Sequence, residues 1–438
     1  MKGTIRFLFA VVICASFCLG MLGAVIAEDA VEFSIWSYQT SHDEKLTARI
    51  EAYMAEHPNV TINYSLVPNS NDDYWSKMTA AIASNSAPDI FYFHNQRIST
   101  FKDALAPFPE EIFPIEEMRA NYYAFDASCV LDDGNWYFFP LGIMDGQIYY
   151  NKQIFSDAGV AEPEGTLTWD EFRELARQLT VYDANGDIVQ SGFSSKGFAR
   201  FMWPDLFFQG GGTWYSEDGT EVMWDSEAGL AATQFFYDLF NVDKVDSYDF
   251  LNYDQAFPVG VAAMAHSRGF FANTLDFQYP EIEYGIMPIP VISHDAFFLG
   301  RNNYECGFAV NNASSDAAKT AAFTFLKDLY DEDYLLFEST MQNRIPSLMS
   351  IWDDPAILAK PVLCISLEQA PLTVFLGDAP QATLMAIENM LTKLYMGQDP
   401  ESALKEAVAE ANEGLKLTPA AWVAEHEWKQ SVIDAYDK

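Results

Sequence analysis

Hydrophobic and polar positions in the first hundred residues follow two different periods. Residues 31–36 and 60–66 place apolar side chains at every second position, which is the pattern of strands. Residues 43–54 and 71–82 instead carry apolar side chains every three or four positions, which is the pattern of helices. A short apolar run at residues 90–93 predicts a third strand. This alternation of strands and helices favours parallel strands joined by right-handed crossovers.

Parallel strands of this kind predict a doubly wound α/β sheet, in which ligands collect beyond the carboxyl ends of the strands. Trp36, Tyr38 and Gln39 follow the first strand, and His94 and Asn95 follow the third. Aromatic rings can stack on a flat ligand face, and the amide and imidazole groups can form hydrogen bonds with its edge. We therefore expect these five residues to contact a ligand.

A longer block, residues 140–179, contains a strand and two helices with their end signals. Asp145 lies early in the alternating segment, and a short helix after it ends at Gly159, a typical helix-stopping glycine. Thr168 and Glu171 are three residues apart and form a capping box for the second helix.

The order of residue types in this block resembles that of a known family. The run Pro-x-Gly-x-x-x-Gly-x-x-Tyr-Tyr-Asn-Lys, followed by a helix and Thr-Trp-Asp-Glu-Phe, is similar to the pattern of bacterial extracellular solute-binding proteins. This is the carbohydrate-binding family of ABC importers that includes the maltose-binding type. Residues 284–290 resemble its Gly-x-x-Pro-x-Pro strand, and residues 382–415 its closing helices around a Gly-x-x-Pro-Glu turn. The resemblance spans nearly all of the chain after residue 27.

This resemblance implies a two-lobed periplasmic-binding-protein fold of type II. Each lobe would be a doubly wound α/β sheet flanked by helices, and three hinge crossings would join the lobes. The implied N-terminal lobe comprises residues 28–142 and 288–342, and the C-terminal lobe residues 143–287 and 343–438. A chain of 438 residues also exceeds what one hydrophobic core normally supports.

Several later residues are candidates for the same site. Trp203 precedes a proline and either stacks on a ligand or starts a buried helix. Trp214 follows three glycines and either stacks on a ligand or caps a hairpin. Counting from the family's Gly-x-Ala-Ala-Met segment, the family's tryptophan falls on Phe270 and its glycine on Arg268. Phe270 keeps an aromatic face. Arg268 would either hold a carboxylate or several hydroxyls at the cleft, or pair with a surface acid.

Three further polar residues complete the predicted site: Asp145, Asn302 and Arg344. Asp145 lies between the two glycines of the 140–179 block, at the lobe boundary. It either contacts the solute or fixes the hinge by accepting backbone N–H groups.

The sequence predicts no catalytic residue, metal site or cofactor. It contains no Gly-x-Ser-x-Gly elbow, no His-Glu-x-x-His motif and no phosphate-binding glycine loop. Residues 183–187 superficially resemble a calcium loop but lack the oxygen-ligand spacing and a closing glutamate. We interpret them as an Asn-Gly turn.

Residues 1–27 have the features of a secretory signal peptide. Lys2 and Arg6 precede an apolar segment, and the segment ends at Ala27, a small residue of the kind that a signal peptidase requires. Cys18 leaves a lipid-anchored form as an alternative, although the bulky Phe17 before it disfavours lipoprotein processing. We therefore expect a cleaved, periplasmic protein.

The charge balance is strongly acidic, with 63 Asp and Glu against 25 Lys and Arg and a net charge of -38. Such a surface repels nucleic acid and anionic lipid, so neither is an expected partner. The acids are spread along the whole chain, which favours a role in solubility, or adaptation to salt or an acidic medium, over a cationic ligand. Cys129, Cys306 and Cys364 cannot all pair with one another, and we expect them to be small buried side chains.

Together these features predict a monomer that captures a carbohydrate between two lobes and delivers it to the membrane permease subunits of an ABC importer. The solute could be a mono- or oligosaccharide, and an acidic sugar or a polyol is included. Two alternatives remain open. The same fold could bind a polyamine or another cation, or the chain could be a secreted glycoside hydrolase that uses paired carboxylates.

Overall fold

The computed structural model describes residues 29–67, 71–295, 300–302, 304–305, 307–375 and 377–436. The predicted signal peptide, residues 1–27, and Cys306 lie outside the described residues. The strands are β1 (Val31–Ser37), β2 (Val60–Leu66), β3 (Ile90–Tyr92), β4 (Gly142–Ile143), β5 (Gly146–Asn151), β6 (Val181–Tyr182), β7 (Ile188–Gln190), β8 (Met264–Arg268), β9 (Tyr284–Pro288), β10 (Gly300–Asn302), β11 (Tyr304–Glu305), β12 (Phe308–Val310), β13 (Ile345–Pro346) and β14 (Thr373–Phe375).

The α-helices are α1 (Asp43–Glu56), α2 (Asn71–Ala83), α3 (Ile98–Phe101), α4 (Ile115–Asn121), α5 (Phe125–Cys129), α6 (Lys152–Ala158), α7 (Trp169–Leu179), α8 (Ala199–Gln209), α9 (Glu227–Tyr237), α10 (Tyr253–Ala256), α11 (Phe270–Gln278), α12 (Asp316–Leu329), α13 (Glu332–Gln342), α14 (Pro355–Leu358), α15 (Pro361–Gln369), α16 (Gln381–Tyr395), α17 (Pro400–Leu417) and α18 (Glu425–Tyr436).

The first lobe is built on a four-stranded sheet in the order β12-β3-β1-β2. β1 runs parallel to both β2 and β3, as the alternation of strands and helices predicts, and β12 closes the sheet antiparallel to β3. Phe33 and Ile35 of β1 are fully buried under the flanking helices, which explains the period of two in this strand. The carboxyl ends of β1 and β3 therefore share one edge of the sheet.

The second lobe is built on a three-stranded sheet in the order β8-β5-β9. β5 is its central strand and runs antiparallel to both neighbours. All six residues of β5 are buried, because helices and loops cover both faces of the sheet. The α/β class and the two lobes agree with the prediction, whereas the strands around β5 are antiparallel and not parallel.

A small sheet joins the lobes, in which β4 pairs with β11 on one side and β13 on the other. β4 forms the first crossing and β13 the third. The second differs from the prediction: β9 still pairs with β5, and Val291 pairs with Thr168 of the second lobe. The chain enters the hinge sheet only at β11, because Ile289 is buried in the core of the second lobe and Val291 is also buried.

The C-terminal segment contacts both lobes, although the sequence assigned all of residues 343–438 to the second. α16 and α17 pack in the second-lobe core through residues such as Ile387 and Leu404. Trp422 belongs to the core of the first lobe, and the ring of Trp428 lies 6.0 Å from that of Tyr123.

Local signals in the sequence are confirmed. Gly159 ends α6 at a φ of 67°, and Thr168 and Glu171 form the capping box of α7. Residues 183–187 form a turn in which Asp183 Oδ1 accepts from the amides of Asn185 and Asp187. Cys129 is buried as expected, whereas Cys364 is partly exposed. No helix in the described ranges has the length and apolar character needed to cross a membrane.

Candidate functional site

The predicted aromatic residues of the first lobe lie at the carboxyl edge of its sheet and are partly exposed. The ammonium of Lys77 lies 4.3 Å from the ring centre of Trp36. The ring of Tyr38 packs 4.8 Å from that of Tyr74 and, edge to face, 5.4 Å from that of Tyr92. These contacts fix the orientation of both rings while leaving part of each accessible.

The predicted polar residues of the first lobe share this edge. Gln39 is partly exposed, and its backbone N–H donates to the hydroxyl of Ser37 at 3.1 Å. His94 is also partly exposed, and its carbonyl accepts from the amide of Arg97, which closes a turn directly after β3. Asn95 is largely buried at the start of that turn. The topology thus brings the two predicted segments together.

In the second lobe, Arg268 ends β8 opposite Gly146 of β5. Its guanidinium carbon lies 4.9 Å from the ring centre of Phe201, a cation–π contact that holds the planar group in place. Phe270 follows at the start of α11, is partly exposed, and packs edge to face on Phe198 at 5.9 Å. An arginine and three phenylalanines therefore form one wall.

Asp145 lies between β4 of the hinge and β5 of the second lobe, and it is 7% exposed. Its Oδ1 accepts a hydrogen bond from the Ser366 hydroxyl, and its Oδ2 has no hydrogen-bond partner within the described ranges. Burial raises the pKa of Asp145 to about 6, despite the opposing effects of Ser366 and Arg268. A side-chain hydroxyl therefore fixes Asp145 at the hinge through Oδ1, and Oδ2 accepts no hydrogen bond within the described ranges.

Sequence reasoning missed two polar residues behind this wall, Asp205 of α8 and His266 of β8. A Cβ at Gly146 would lie 2.7 Å from His266 Nε2 and 3.0 Å from Asp205 Oδ2, so only a glycine lets both side chains approach β5. Burial and then the charge of Arg268 lower the pKa of His266 to about 3, so the imidazole is neutral. The period of two in β8 places His266 on the face of Arg268 and could have identified it.

The spacing of α8 carries a similar signal. Phe201 and Asp205 are four residues apart and lie on one face of the helix. This spacing in the sequence could have identified the pair.

Trp203 and Trp214 require a correction, because both belong to the core of the second lobe. Their rings lie 6.1 Å apart, and each packs against Trp224. The indole N–H of Trp203 donates to Thr233 Oγ1 at 3.1 Å. Neither ring has exposed area, so neither can stack on a solute in this structure. Trp203 lies in the buried helix α8, which agrees with its alternative.

Arg344 also requires a correction. It is 2% exposed, and its guanidinium pairs with the buried carboxylate of Glu338 at 3.6 Å. Its aliphatic part packs on Gly142, where a Cβ would lie 2.8 Å from Arg344 Cγ. Arg344 is therefore part of the hinge and not of an accessible wall. The backbone of Asn302 lies in β10, paired with Phe375 of β14.

Across the described ranges, no group of three or more His, Cys, Asp and Glu residues could hold a metal ion. The arrangement combines aromatic faces at Trp36, Tyr38 and Phe270 with planar hydrogen-bonding groups at Gln39 and Arg268. Such groups can bind a ligand that has apolar faces and a polar rim.

Comparison with known proteins places the chain in a family. Residues 36–335 match the model of the family described as bacterial extracellular solute-binding protein. A putative binding protein of Brucella abortus (strain 2308) is 22% identical over 91% of this chain and 97% of that protein. The arabinooligosaccharide-binding protein of Halalkalibacterium halodurans is 25% identical, over 50% of this chain and 48% of its own length.

A solved structure shares the fold. The cyclic α-maltosyl-1,6-maltose binding protein from Arthrobacter globiformis superposes with a TM-score of 0.74 at 20% identity, covering 89% of this chain and 100% of that chain. At this identity the likeness concerns the fold alone. The family match covers well over half of the chain. The chain therefore belongs to the bacterial extracellular solute-binding protein family.

Proposed function

We propose that the chain is the solute-binding component of an ABC importer and captures a carbohydrate between its two lobes. The observation that carries this proposal is the wall of Arg268, Phe201 and Phe270 beside the buried Asp145. A sugar presents apolar C–H faces to aromatic rings and a rim of hydroxyls to fixed planar donors and acceptors. The half-buried Trp36 and Tyr38 offer the corresponding rings in the first lobe.

The relatives favour an oligosaccharide. One is named for binding arabinooligosaccharides, and the structural neighbour binds cyclic α-maltosyl-1,6-maltose. The local charges favour a neutral sugar, because the carboxyl of Asp145 lies close enough to Arg268 to be influenced by its charge. The positive charge of Arg268 is thus partly balanced before any solute arrives. A uronate would therefore gain less from Arg268 than from an uncompensated arginine.

Capture would follow from the hinge. Three short segments, β4, β11 and β13, join the lobes, and rotation about them would close the lobes over a solute. A solute stabilises the closed form only through contacts that the open form lacks, so it has to contact both lobes. Trp36, Tyr38, Gln39, His94 and Asn95 would supply these contacts from the first lobe, and Asp145, Arg268 and Phe270 from the second.

Export and delivery are part of the same proposal. The family is described as extracellular, which supports a signal peptide in residues 1–27 and a periplasmic location. The closed protein would dock as a monomer on the permease subunits of its importer. Cleavage at Ala27, with lipidation at Cys18 as the alternative, can be settled by mass spectrometry of the mature protein.

A thermal-shift screen followed by calorimetric titration tests the solute class. The panel contains maltotriose, arabinotriose, a glucuronide, a polyol and spermidine. A ligand that binds only the folded state raises the melting temperature, so we expect shifts with at least one neutral oligosaccharide at one-to-one stoichiometry. Shifts with spermidine alone would contradict the proposal and favour the cationic alternative.

The enzymatic alternative needs a separate measurement. The family and the structural neighbours are binding proteins, which supports binding without turnover. We expect oligosaccharides incubated with the protein to be recovered intact by chromatography. Release of shorter sugars that depends on protein concentration would instead establish a glycoside hydrolase.

A further inference from the structure

A chain of buried polar side chains lies beneath the loop that follows β1. We define the β1 loop as residues 37–42. His42 Nε2 lies 2.8 Å from the Ser37 hydroxyl, and His42 Nδ1 lies 2.8 Å from Glu338 Oε1. Ser37, His42 and Glu338 are 0%, 1% and 1% exposed. The histidine therefore links the sheet edge of the first lobe to α13, 296 residues further along the chain.

Donors and acceptors are matched along this network of hydrogen bonds. Burial works to raise the pKa of Glu338, but attraction to His42 and Arg344 outweighs it, and the pKa lies below its ordinary value. An ionised carboxylate only accepts, so His42 Nδ1 carries a proton and donates to it. His42 Nε2 and the Ser37 hydroxyl form the next hydrogen bond of this network. The Ser37 oxygen in turn accepts from the backbone N–H of Gln39 at 3.1 Å.

The other end of this hydrogen-bond network, at Glu338, reaches the hinge. Glu338 pairs with Arg344, which follows Asn343 at the third crossing. Asn343 adopts a left-handed conformation with a φ of 49°, and Arg344 Cγ and Cδ pack against Gly142 of the first crossing. The position of the Glu338 carboxylate is therefore tied to two of the three crossings about which the lobes would rotate.

The same residue types form the catalytic triad of serine hydrolases, but the geometry here serves another purpose. A catalytic serine presents its oxygen to a substrate, next to donors for the oxyanion. The Ser37 side chain has no exposed area, and its oxygen accepts from Gln39. The hydrogen bonds are thus directed at the backbone of the β1 loop and not at a substrate.

We propose that Ser37, His42 and Glu338 are positioning residues that fix the backbone of Gln39 for solute contact and couple it to the hinge through Arg344. This inference rests on the proposed function, because it takes the β1 loop as one wall of the solute site. Rotation about the third crossing moves Arg344, which is the ion-pair partner of Glu338. The conformation of the β1 loop therefore responds to lobe closure.

Hydrogen exchange on the ligand-free protein, followed by mass spectrometry of a peptide that covers residues 36–42, tests the coupling. Glu338→Gln removes the charge that orients His42 and leaves the shape of the side chain. We expect exchange at Gln39 to quicken about three- to tenfold, the effect of losing one ordinary hydrogen bond. The matched control is Glu332→Gln in the same helix, because Glu332 accepts from the exposed Ser350 and lies outside this network. We expect it to leave exchange at Gln39 unchanged.

A second variant keeps the test informative if Glu338→Gln unfolds. Ser37→Ala removes only the hydroxyl that accepts from the Gln39 backbone and leaves Glu338, His42 and Arg344 in place. We expect it to quicken exchange at Gln39 as Glu338→Gln does, and the double variant to add nothing further, because one chain of bonds is broken once. Independent, additive effects of the two substitutions would overturn the coupling, as would unchanged exchange at Gln39 in either variant.

Two further measurements distinguish this inference from a catalytic role of Ser37 and from a failure of the proposed function. Labelling of Ser37 by a fluorophosphonate probe would show a reactive nucleophile and overturn the positioning role. Affinity for maltotriose and arabinotriose is measured in parallel, and we expect Ser37→Ala to weaken whichever sugar binds by about threefold or more. A wild-type protein that binds no sugar in the panel would contradict the proposed function, while the exchange measurements, made without solute, still decide the coupling.

Discussion

Two arginines contact the same phenylalanine ring in the second lobe but have different surroundings. The guanidinium carbon of Arg200 lies 4.7 Å from the Phe201 centroid and that of Arg268 lies 4.9 Å from it. Arg200 is about one third exposed and pairs with Glu388 at 3.1 Å. Arg268 is 9% exposed and lies near Asp145. Hydrogen bonds from a buried charged donor contribute more to binding than those from an exposed one.

We therefore predict that Arg268→Ala weakens binding of the strongest sugar in the panel by about 1.5 to 3 kcal/mol. Arg200→Ala is the matched control, and we expect its dissociation constant to stay within about threefold of wild type. Titration calorimetry measures both. Equal effects of the two substitutions would indicate that Arg268 acts only through packing on Phe201.

Gly146 provides a second prediction for a single residue. A methyl group there would lie 2.7 Å from His266 Nε2 and 3.0 Å from Asp205 Oδ2, which is closer than carbon normally approaches. Gly146→Ala should lower the free energy of unfolding by about 1 to 3 kcal/mol, the usual cost of overpacking. Urea denaturation measures it. Adding His266→Ala removes the nearer contact and should recover part of the loss; no recovery would place the strain elsewhere.

Individual site residues were predictable only where the backbone pattern fixed them. Trp36 lies near the end of β1 and His94 follows β3, so topology alone places them at the carboxyl edge of the sheet. Trp203 and Phe201 are two residues apart in a helix that is buried almost all round. Without a polar face, the period of this helix does not distinguish the ring that packs in the core from the ring that contacts Arg268.

At the level of elements, α15 is joined to the strand that leaves the hinge. The Ser366 hydroxyl of α15 donates to Asp145 and accepts from Gln147 Nε2 at 2.7 Å. Gln147 Nε2 also donates to the carbonyl of Val362 at 2.8 Å. One serine thus connects Asp145 and Gln147 to one helix.

We predict that Ser366→Ala raises the pKa of Asp145 further above about 6, because the hydroxyl is the largest of the effects that lower it. It should also lower the free energy of unfolding by about 1 to 3 kcal/mol, since a buried carboxylate loses its partner. A carboxyl-carbon NMR titration and urea denaturation measure these effects.

The control for this pair is Ser350→Ala, whose hydroxyl donates to the exposed Glu332 at 2.8 Å. It should change stability by less than about 0.5 kcal/mol. An unchanged titration of Asp145 in Ser366→Ala would mean that the hydroxyl does not set the protonation of the carboxyl group.

Most elements follow from local signals, whereas the second crossing does not. Period, caps and stop signals locate β1, α7 and α17 without knowledge of their neighbours. β11 is two residues long, and its place in the hinge depends on pairing with β4, about 160 residues earlier in the chain. The prolines at 288 and 290 suggested an earlier crossing, but Ile289 between them is buried in the second lobe.

For the whole molecule, the buried aspartates and the negative net charge both lower stability as pH rises. Burial raises the pKa of Asp246 to about 7 and that of Asp378 to about 7, and the pKa of Asp145 to about 6. An unfolded aspartate has a pKa of about 3.9. Between these values the folded state binds more protons at these three groups than the unfolded state, so their contribution to stability is greatest at low pH and is lost as pH rises towards 7. His266, whose pKa is lowered to about 3, opposes them below about pH 6.5, but it is one group against three.

The net charge of -38 adds repulsion over the same range, and this part is screened by salt. We therefore predict that the free energy of unfolding in urea falls by at least about 2 kcal/mol between pH 5 and pH 8. Sodium chloride at about 1 M should remove the part due to surface repulsion and leave the part due to the three buried acids.

The buried acids can then be separated from the surface by substitution. Asp246 accepts from Tyr395 Oη at 3.0 Å, and Asp378 accepts from the amide of Ala421 at 2.8 Å. An asparagine keeps an acceptor oxygen in each place but binds no proton, so Asp246→Asn and Asp378→Asn should each flatten the dependence of stability on pH, whereas the exposed Asp254→Asn should not. If all three variants retain the wild-type slope in 1 M salt, the dependence arises elsewhere. If the first two flatten it, the fold itself favours an acidic medium, because burial favours the protonated form of two carboxyl groups that no solute contact requires.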